Sequence, residues 1–466
     1  MGSAAGYSTG ANNSGKITRS CYNRRFAYTL SFGGLLLLGG RAGDIFGRRR
    51  VLLTGIALFT VASLAAGAAP NPALLLAARA AQGMGAAFAG PSTLALIASN
   101  FAAGPARNRA LGAFAAVSGV SLSLGLLAGG LLTATGSWRW VFIVNLPIGA
   151  AVLALAPRYL RETSRQPGRL DLAGALTSTM GMVALVYGFI RAAGNGWSDP
   201  LAMAAFPLAL AAWILFVAAE RRAAQPLVPG WLFADRNRVG AYLNMLFLPA
   251  TMFGALYFLT QFVQEILGFS PLRAGLAFLP MSVSLFATSR LAPRLVTRFG
   301  VRPPMIAGAA LIIGGTAWLS QISADGGYLS TVAGPLVLIG VGTGLSFFPL
   351  NLTILAGVPV GAAGAASGVL QAMQQVGASL GLAVLVTVYT AGGSGRPDAG
   401  TAAGRRAVAA AMSDGFAVAA LFGACALATA VLVIRGRRSG PHDGLKASTS
   451  CPRRAATVGR RGDHER

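Results

Sequence analysis

Histidine and lysine are almost missing from this chain, and carboxylates are scarce. The two histidines, His442 and His464, lie near the C-terminus, so the apolar body offers no imidazole for metal binding or for acid–base chemistry near neutral pH. The three cysteines, Cys21, Cys425 and Cys451, share no paired spacing, which excludes a disulfide framework and a thiolate metal cluster. Charged residues make up 11% of the chain, against roughly 25% in soluble domains. The longest gaps between apolar runs, 220–238 and 391–414, are too short to fold as catalytic domains of their own. No cofactor is implied.

What is present is apolar: 54% of the 466 residues are hydrophobic and the mean hydropathy is +0.62. Apolar runs recur at about 26–40, 51–69, 72–98, 110–133, 140–156, 171–190, 200–219, 239–263, 272–292, 303–320, 331–355, 363–389 and 415–434. Most are long enough to cross a bilayer as helices, which takes about 20 residues. The predicted fold is an all-α membrane protein with about 13 transmembrane helices.

The net charge of +25 comes from 38 basic residues, all arginine except Lys16 and Lys446. A nucleic-acid face does not fit, because the arginines fall in short loops at alternate helix ends. One set of loops holds Arg41, Arg48, Arg49 and Arg50, then Arg107 and Arg109, then Arg158, Arg161, Arg165 and Arg169. It continues through Arg221, Arg222, Arg236, Arg238, Arg290, Arg294, Arg298 and Arg302 to the tail's Arg435. The other set holds single arginines, Arg139, Arg191 and Arg273, apart from a last loop with Arg396, Arg405 and Arg406. Arginine-rich loops stay in the cytoplasm, which predicts a cytoplasmic membrane protein with its C-terminus inside. The basic segment 435–466 is expected to be disordered and to lie near membrane lipid.

Several strings carry more than hydrophobicity. In Gly40-Arg41-Ala42-Gly43-Asp44-Ile45-Phe46-Gly47-Arg48-Arg49-Arg50, Gly40, Gly43 and Gly47 are expected to form a tight reversal. The three arginines are expected at phosphate head groups, and Asp44 needs a partner, either Arg48 or the positive N-terminus of a neighbouring helix. The small-residue run Gly361–Gly368 begins such a helix on the same side. Arg79 is a charge inside a span, a functional-site signal, with Gln82 on the same helical face. Ser121, Gly125 and Gly129 form a small-residue face suited to helix contact. In Trp138–Gly149, the tryptophans suit an interface, and Asn145 before Pro147 can satisfy a freed backbone group. Gln261, Gln264, Glu265, Gln371, Gln374 and Gln375 either bind helices together or line a cavity. Gly10–Lys16 imitates a phosphate-binding loop but has Ile17 where a hydroxyl is required. Gly340, Gly342 and Gly344 read as helix-packing glycines.

Together these strings resemble the major facilitator superfamily, in its fourteen-helix drug:proton antiporter branch. The likeness covers about residues 27–434 and rests on the 40–50 loop, Arg79–Gly85 with Pro91, Trp138–Gly149 and Gly364–Gly381. Residues 290–302 look like a degenerate second copy of the loop, with Thr297 in place of the acid. The resemblance implies two helical bundles, 26–156 and 239–434, with two extra helices inserted in 157–238. It implies export of a small hydrophobic or cationic antibiotic-like molecule by alternating access, driven by protons. Gly40, Gly43, Asp44, Gly47 and Arg48 would gate the cytoplasmic side, Arg79 would take part in proton transfer, and Gly125, Gly129 and Gly130 would form the antiport helix. A monomer is expected, with no enzymatic activity.

Three features depart from the family pattern. Leu126 replaces a proline, Gln374 stands where arginine is frequent, and residues 1–25 resemble nothing in the family. The family's first helix and its membrane aspartate are expected to be missing through a frameshift or misassigned start. Asp44, Asp171 and Glu265 all sit at span ends. An importer of a polar metabolite, or a truncated inactive transporter, therefore stays open beside the exporter. A membrane enzyme or sensor is disfavoured by the absent histidines and metal spacings.

Overall fold

The computed structural model describes residues 11–435 except 103, 136, 164–170, 224, 325 and 392–400. It describes side chains from residue 27 on, except at 119–120, 122–124, 126–127, 130, 133–135, 271 and 360. Fifteen α-helices follow one another, with no strand among the described residues. They are α1 (Ala11–Phe46), α2 (Arg48–Gly67), α3 (Pro72–Asn100), α4 (Pro105–Thr135), α5 (Trp140–Ile143), α6 (Asn145–Tyr159), α7 (Leu172–Asn195) and α8 (Pro200–Arg222). After these come α9 (Arg236–Gln261), α10 (Pro271–Ala277), α11 (Leu279–Phe299), α12 (Arg302–Leu319), α13 (Gly334–Leu355), α14 (Ala363–Ala391) and α15 (Ala402–Leu432). Taking α5 with α6 and α10 with α11, these form thirteen helical units among the described residues. Among the described residues, nine helices are long and apolar enough to cross a membrane on length and composition alone.

Local chemistry sets the helix starts. Asn71, Asp171, Asp199 and Thr401 each accept a hydrogen bond from a backbone N–H in the first turn of the helix that follows, at 2.8–3.0 Å. Pro72 and Pro200 occupy first-turn positions where no N–H is needed. Asp199 also takes a two-point contact from Arg191 at 2.8 and 3.0 Å, closing the α7–α8 turn. Hydrogen bonding from Arg191 holds the Asp199 carboxyl below its ordinary value.

Three boundaries differ from the sequence expectation. The first run is not a 15-residue span with a loop from Gly40: α1 continues to Phe46, so Gly40 and Gly43 are helical. The run 140–156 is broken at Val144, because Pro147 lacks the N–H that would bond the Ile143 carbonyl. The last helix starts at Ala402, well before 415, since the alanine-rich stretch after the Thr401 cap favours helix.

The chain shows its internal duplication in backbone geometry. Gly47 ends α1 at φ +99°, and Gly300 ends α11 at φ +82°. Eight residues after each (55−47 and 308−300) comes a glycine at a helix crossing: Gly55 against Gly85, and Gly308 against Gly342. The series α1, α2, α3, α4 thus corresponds to α11, α12, α13, α14. The contacts between the two series also mirror each other, with α1 packed on α14 and α11 packed on α4. Helix α7 lies over the seam where α1 meets α14, with α8 packed on α7, and Trp197 Nε1 donates to Thr387 Oγ1 on α14 at 2.6 Å.

A β-carbon on Gly85 would sit 2.6 Å from the Gly55 carbonyl oxygen, whereas one on Gly314 would meet nothing within 4 Å. Gly85→Ala is therefore expected to force α2 and α3 apart at a cost of about 1–3 kcal/mol. Gly314→Ala is expected to leave stability unchanged or slightly raised. Thermal unfolding of the two variants in detergent checks this, and equal midpoints would refute the close crossing.

Candidate functional site

The densest polar cluster lies where α1 ends. Gly47 provides the left-handed turn, and α2 starts at once with Arg48. Asp44 is 3% exposed and Arg48 is 2% exposed. Arg48 is therefore not at a lipid head group as the sequence suggested. It lies one turn from Asp44, and Arg48 Nη2 and Nε reach Asp44 Oδ1 at 2.6 and 3.1 Å while Nη1 donates to the Ala95 carbonyl on α3. Asp44 also receives the backbone N–H of Gly364 on Oδ1 at 3.1 Å and that of Ala365 on Oδ2 at 3.2 Å. These amides form the first turn of α14. An anion there gains from the helix dipole and from donors that no carbonyl of the helix can use. Gly40 and Gly364 make this possible, because either β-carbon would collide with the other glycine's carbonyl oxygen.

Glu162 belongs to the same cluster, and the sequence reading passed over it. Its Oε1 accepts the Arg49 N–H and the Thr163 N–H, both at 3.1 Å. Its carboxylate faces Arg49 at 3.9 Å and Arg50 at 3.8 Å. It thus caps the first turn of α2 from a segment 113 residues away. A β-carbon on Gly47 would lie 2.8 Å from Glu162 Oε1. Arg49 also turns away from the expected head-group position to donate to the Pro157 and Leu160 carbonyls. The only signal in the sequence was an acid in an otherwise basic loop.

A second cluster surrounds Arg79, which is partly buried on α3. Its Nη1 donates to Gln82 Oε1 at 3.0 Å, and Gln82 Nε2 donates to Ser63 Oγ on α2 at 2.7 Å. The guanidinium lies 4.6 Å from the Tyr28 ring centre and 5.8 Å from that of Phe142. Arg79 and Gln82 are thus brought together with Tyr28, Ser63 and Phe142, which the sequence did not single out.

Other predicted positions are dispersed. Gln371 lies against Gly90 of α3, Gln375 packs on Gly33 of α1, and Gln374 Nε2 contacts Met245 Sδ on α9 at 3.4 Å. These glutamines join helices. Gln261 is half-buried, while Gln264 and Glu265 are exposed in a π-helical turn, Phe262–Ile266, after α9. Asn145 makes no side-chain hydrogen bond to a freed backbone group among the described residues, because the break falls before it and α6 begins there; Pro147 is exposed on the first turn. The expected contact face on α4 is not formed among the described residues. Ser121 and Gly125 are exposed, and a β-carbon on Gly125 or Gly129 meets nothing within 4 Å. Gly130 lies outside the described residues. Gly112 of α4 does sit at a close crossing, since a β-carbon there would lie 2.9 Å from the Pro293 ring of α11.

Residues 26–382 match the family model of the Major Facilitator Superfamily. The chain is 40% identical over 365 residues to the uncharacterized MFS-type transporter EfpA of Mycobacterium tuberculosis, covering 78% of this chain and 69% of that one. It is 44% identical over 378 residues to the cephamycin export protein CmcT of Amycolatopsis lactamdurans, covering 80% and 77%. It is 42% identical over 370 residues to a puromycin resistance protein of Streptomyces alboniger, covering 78% and 73%. Among solved structures, the human organic anion transporter MFSD10 superposes with a TM-score of 0.62 at 18% identity, covering 89% of this chain and 84% of that one. The proton:xylose symporter XylE superposes with a TM-score of 0.59 at 16% identity, covering 88% and 86%. These two share the fold.

Arg48→Gln leaves Asp44 buried without its counter-ion, and a broken buried pair costs about 3–5 kcal/mol. Asp44→Asn with Arg48→Gln removes both charges and is expected to cost clearly less than the sum of the single changes. Thermal unfolding of the wild type, both single variants and the double variant checks this, and additive losses would show that the two charges do not act as a pair.

Proposed function

This chain belongs to the major facilitator superfamily, whose members move small molecules across membranes, and from that premise we propose that it exports an antibiotic-like molecule by alternating access driven by protons. The observation that carries the reading is the Asp44 contact. A carboxylate on α1 seals against the N-terminus of α14, and the two helices belong to opposite halves of the duplication. Such a seal closes one end of the path when made and opens it when broken, with Gly40, Gly43, Gly47 and Arg48 shaping and neutralising it. The arginine-rich loops at that end support a cytoplasmic position for it. Relatives named for cephamycin export and for puromycin and lincomycin resistance support antibiotic-like cargo, and the scarcity of charge inside the spans suits a hydrophobic or cationic molecule.

Arg79 is the intramembrane charge of this mechanism. A guanidinium does not give up its proton in a protein, so it supplies a fixed positive charge beside Tyr28, Gln82 and Ser63. That charge biases protonation and cargo binding nearby instead of carrying the proton.

Drug-sensitive cells expressing the chain are expected to lose a preloaded fluorescent cationic dye several-fold faster than control cells, and a protonophore is expected to abolish the difference. Asp44→Asn is expected to remove most of the gain. Equal dye loss with the protein present in the membrane would overturn export of this cargo class, and efflux insensitive to the protonophore would overturn proton coupling.

A further inference from the structure

Arg107 occupies an unfavourable place on its own helix. It lies in the first turn of α4, which has no acid there, and a cation at a helix N-terminus opposes the dipole. Its side chain crosses instead to the opposite half of the molecule. Arg107 Nη2 donates to the Leu355 carbonyl at 3.2 Å, across 248 residues. Leu355 ends α13, so its carbonyl is one of the last four that the helix leaves without an internal partner. The neighbouring carbonyls of Ile354 and Ala356 accept from Arg238 of α9 at 3.2 and 2.9 Å. Two guanidiniums therefore neutralise the negative end of α13, one from each half.

The chain then turns at Gly357, at φ +66°, and enters α14, whose positive end holds Asp44. The α13–α14 connector is thus gripped at both dipole ends by the first half of the molecule: Arg107 holds the carbonyl end and Asp44 holds the amide end. Near Arg107, Gly112 lets α4 press against Pro293 of α11, so the crossing helix is seated close to the contact.

We propose that Arg107 is a positioning residue of the transport cycle, the second point of a two-point latch that closes the Asp44 end of the path. The proposal rests on the alternating-access reading above. It makes the two latches cooperative, because both hold one rigid connector and releasing either frees it.

The test uses Ser367, which is fully buried on α14 between Gly364 and Gly368, where α1 packs, and whose Oγ has no partner among the described residues. Ser367→Cys is placed in a chain whose native Cys21, Cys425 and Cys451 are changed to serine. Its reaction with a membrane-impermeant maleimide is then timed in inside-out vesicles. Arg107→Gln is expected to raise the labelling rate about fivefold or more, the scale of losing one charge–dipole contact, as is Asp44→Asn. Arg107→Lys, which keeps the cation, is expected to stay within about twofold of the parent. The double variant Asp44→Asn with Arg107→Gln is expected to fall short of the product of the single effects. Slow labelling in Arg107→Gln alongside fast labelling in Asp44→Asn would overturn the proposal, as would equal rates for Arg107→Gln and Arg107→Lys. Dye efflux separates the two readings: no efflux by the parent with Arg107-dependent labelling removes the exporter and leaves the latch, whereas active efflux with Arg107-independent labelling removes the latch alone.

Discussion

A buried carboxylate has few stable solutions, and the one taken by Asp44 organises the molecule. Burial of an ion is tolerated only with a counter-ion and with hydrogen bonds on its remaining lone pairs. Arg48 supplies the first, and the Gly364 and Ala365 amides supply the second. The requirement propagates outward. The amides come within reach only if α1 and α14 touch at Gly40 and Gly364. Arg48 reaches back only if the chain reverses at Gly47, and Gly47 is also the surface on which Glu162 lies. Removing either a β-carbon's absence or a charge therefore disturbs three helices at once.

The contact is also well suited to being reversible. Its Arg48–Asp44 pair lies within one continuous stretch of chain and survives separation of the halves. Its amide half is the part that crosses between them. Were α14 to withdraw, as the proposed cycle requires, the carboxylate would retain its counter-ion and expose a neutralised pair instead of a lone charge. That is the energetic condition for a gate that must open repeatedly without a large barrier.

Most of the fold was legible in the sequence because apolar runs, proline starts and caps are local signals. The turn at Gly47 and Arg48 as a partner for Asp44 were legible for the same reason, since the three stand within five consecutive residues. What was not legible depends on distant backbone. Glu162 binds amides 113 residues away and Arg107 binds a carbonyl 248 residues away, and backbone acceptors carry no sequence signature. The same cause explains the misplacement of Arg49, which the Pro157 and Leu160 carbonyls hold, whereas Arg48 is drawn inward by Asp44. An arginine read from composition belongs at a head group, whereas here carbonyls left open at helix ends compete for it. The α4 glycines show that small residues permit a contact without specifying its partner: a β-carbon on Gly125 meets nothing within 4 Å, whereas one on Gly112 meets Pro293.

The duplication relates the Asp44 and Arg107 contacts through a single asymmetry. By the correspondence of α1–α4 with α11–α14, Asp44 matches Thr297, and α14 matches α4. Asp44 is buried against the N-terminus of α14, whereas Thr297 is exposed. The Thr297 hydroxyl donates to the Arg294 carbonyl of its own helix, and the N-terminus of α4 carries Arg107 and Arg109. The first turn of α4 holds no acid of its own. Without one, the positive end of α4 accumulates further positive charge, and relief comes from the negative end of α13. The loss of an acid in one copy and the reach of an arginine from the other are thus two sides of the same electrostatic requirement. They leave the connector between α13 and α14 held at both of its flanking helix ends, by Arg107 and by Asp44.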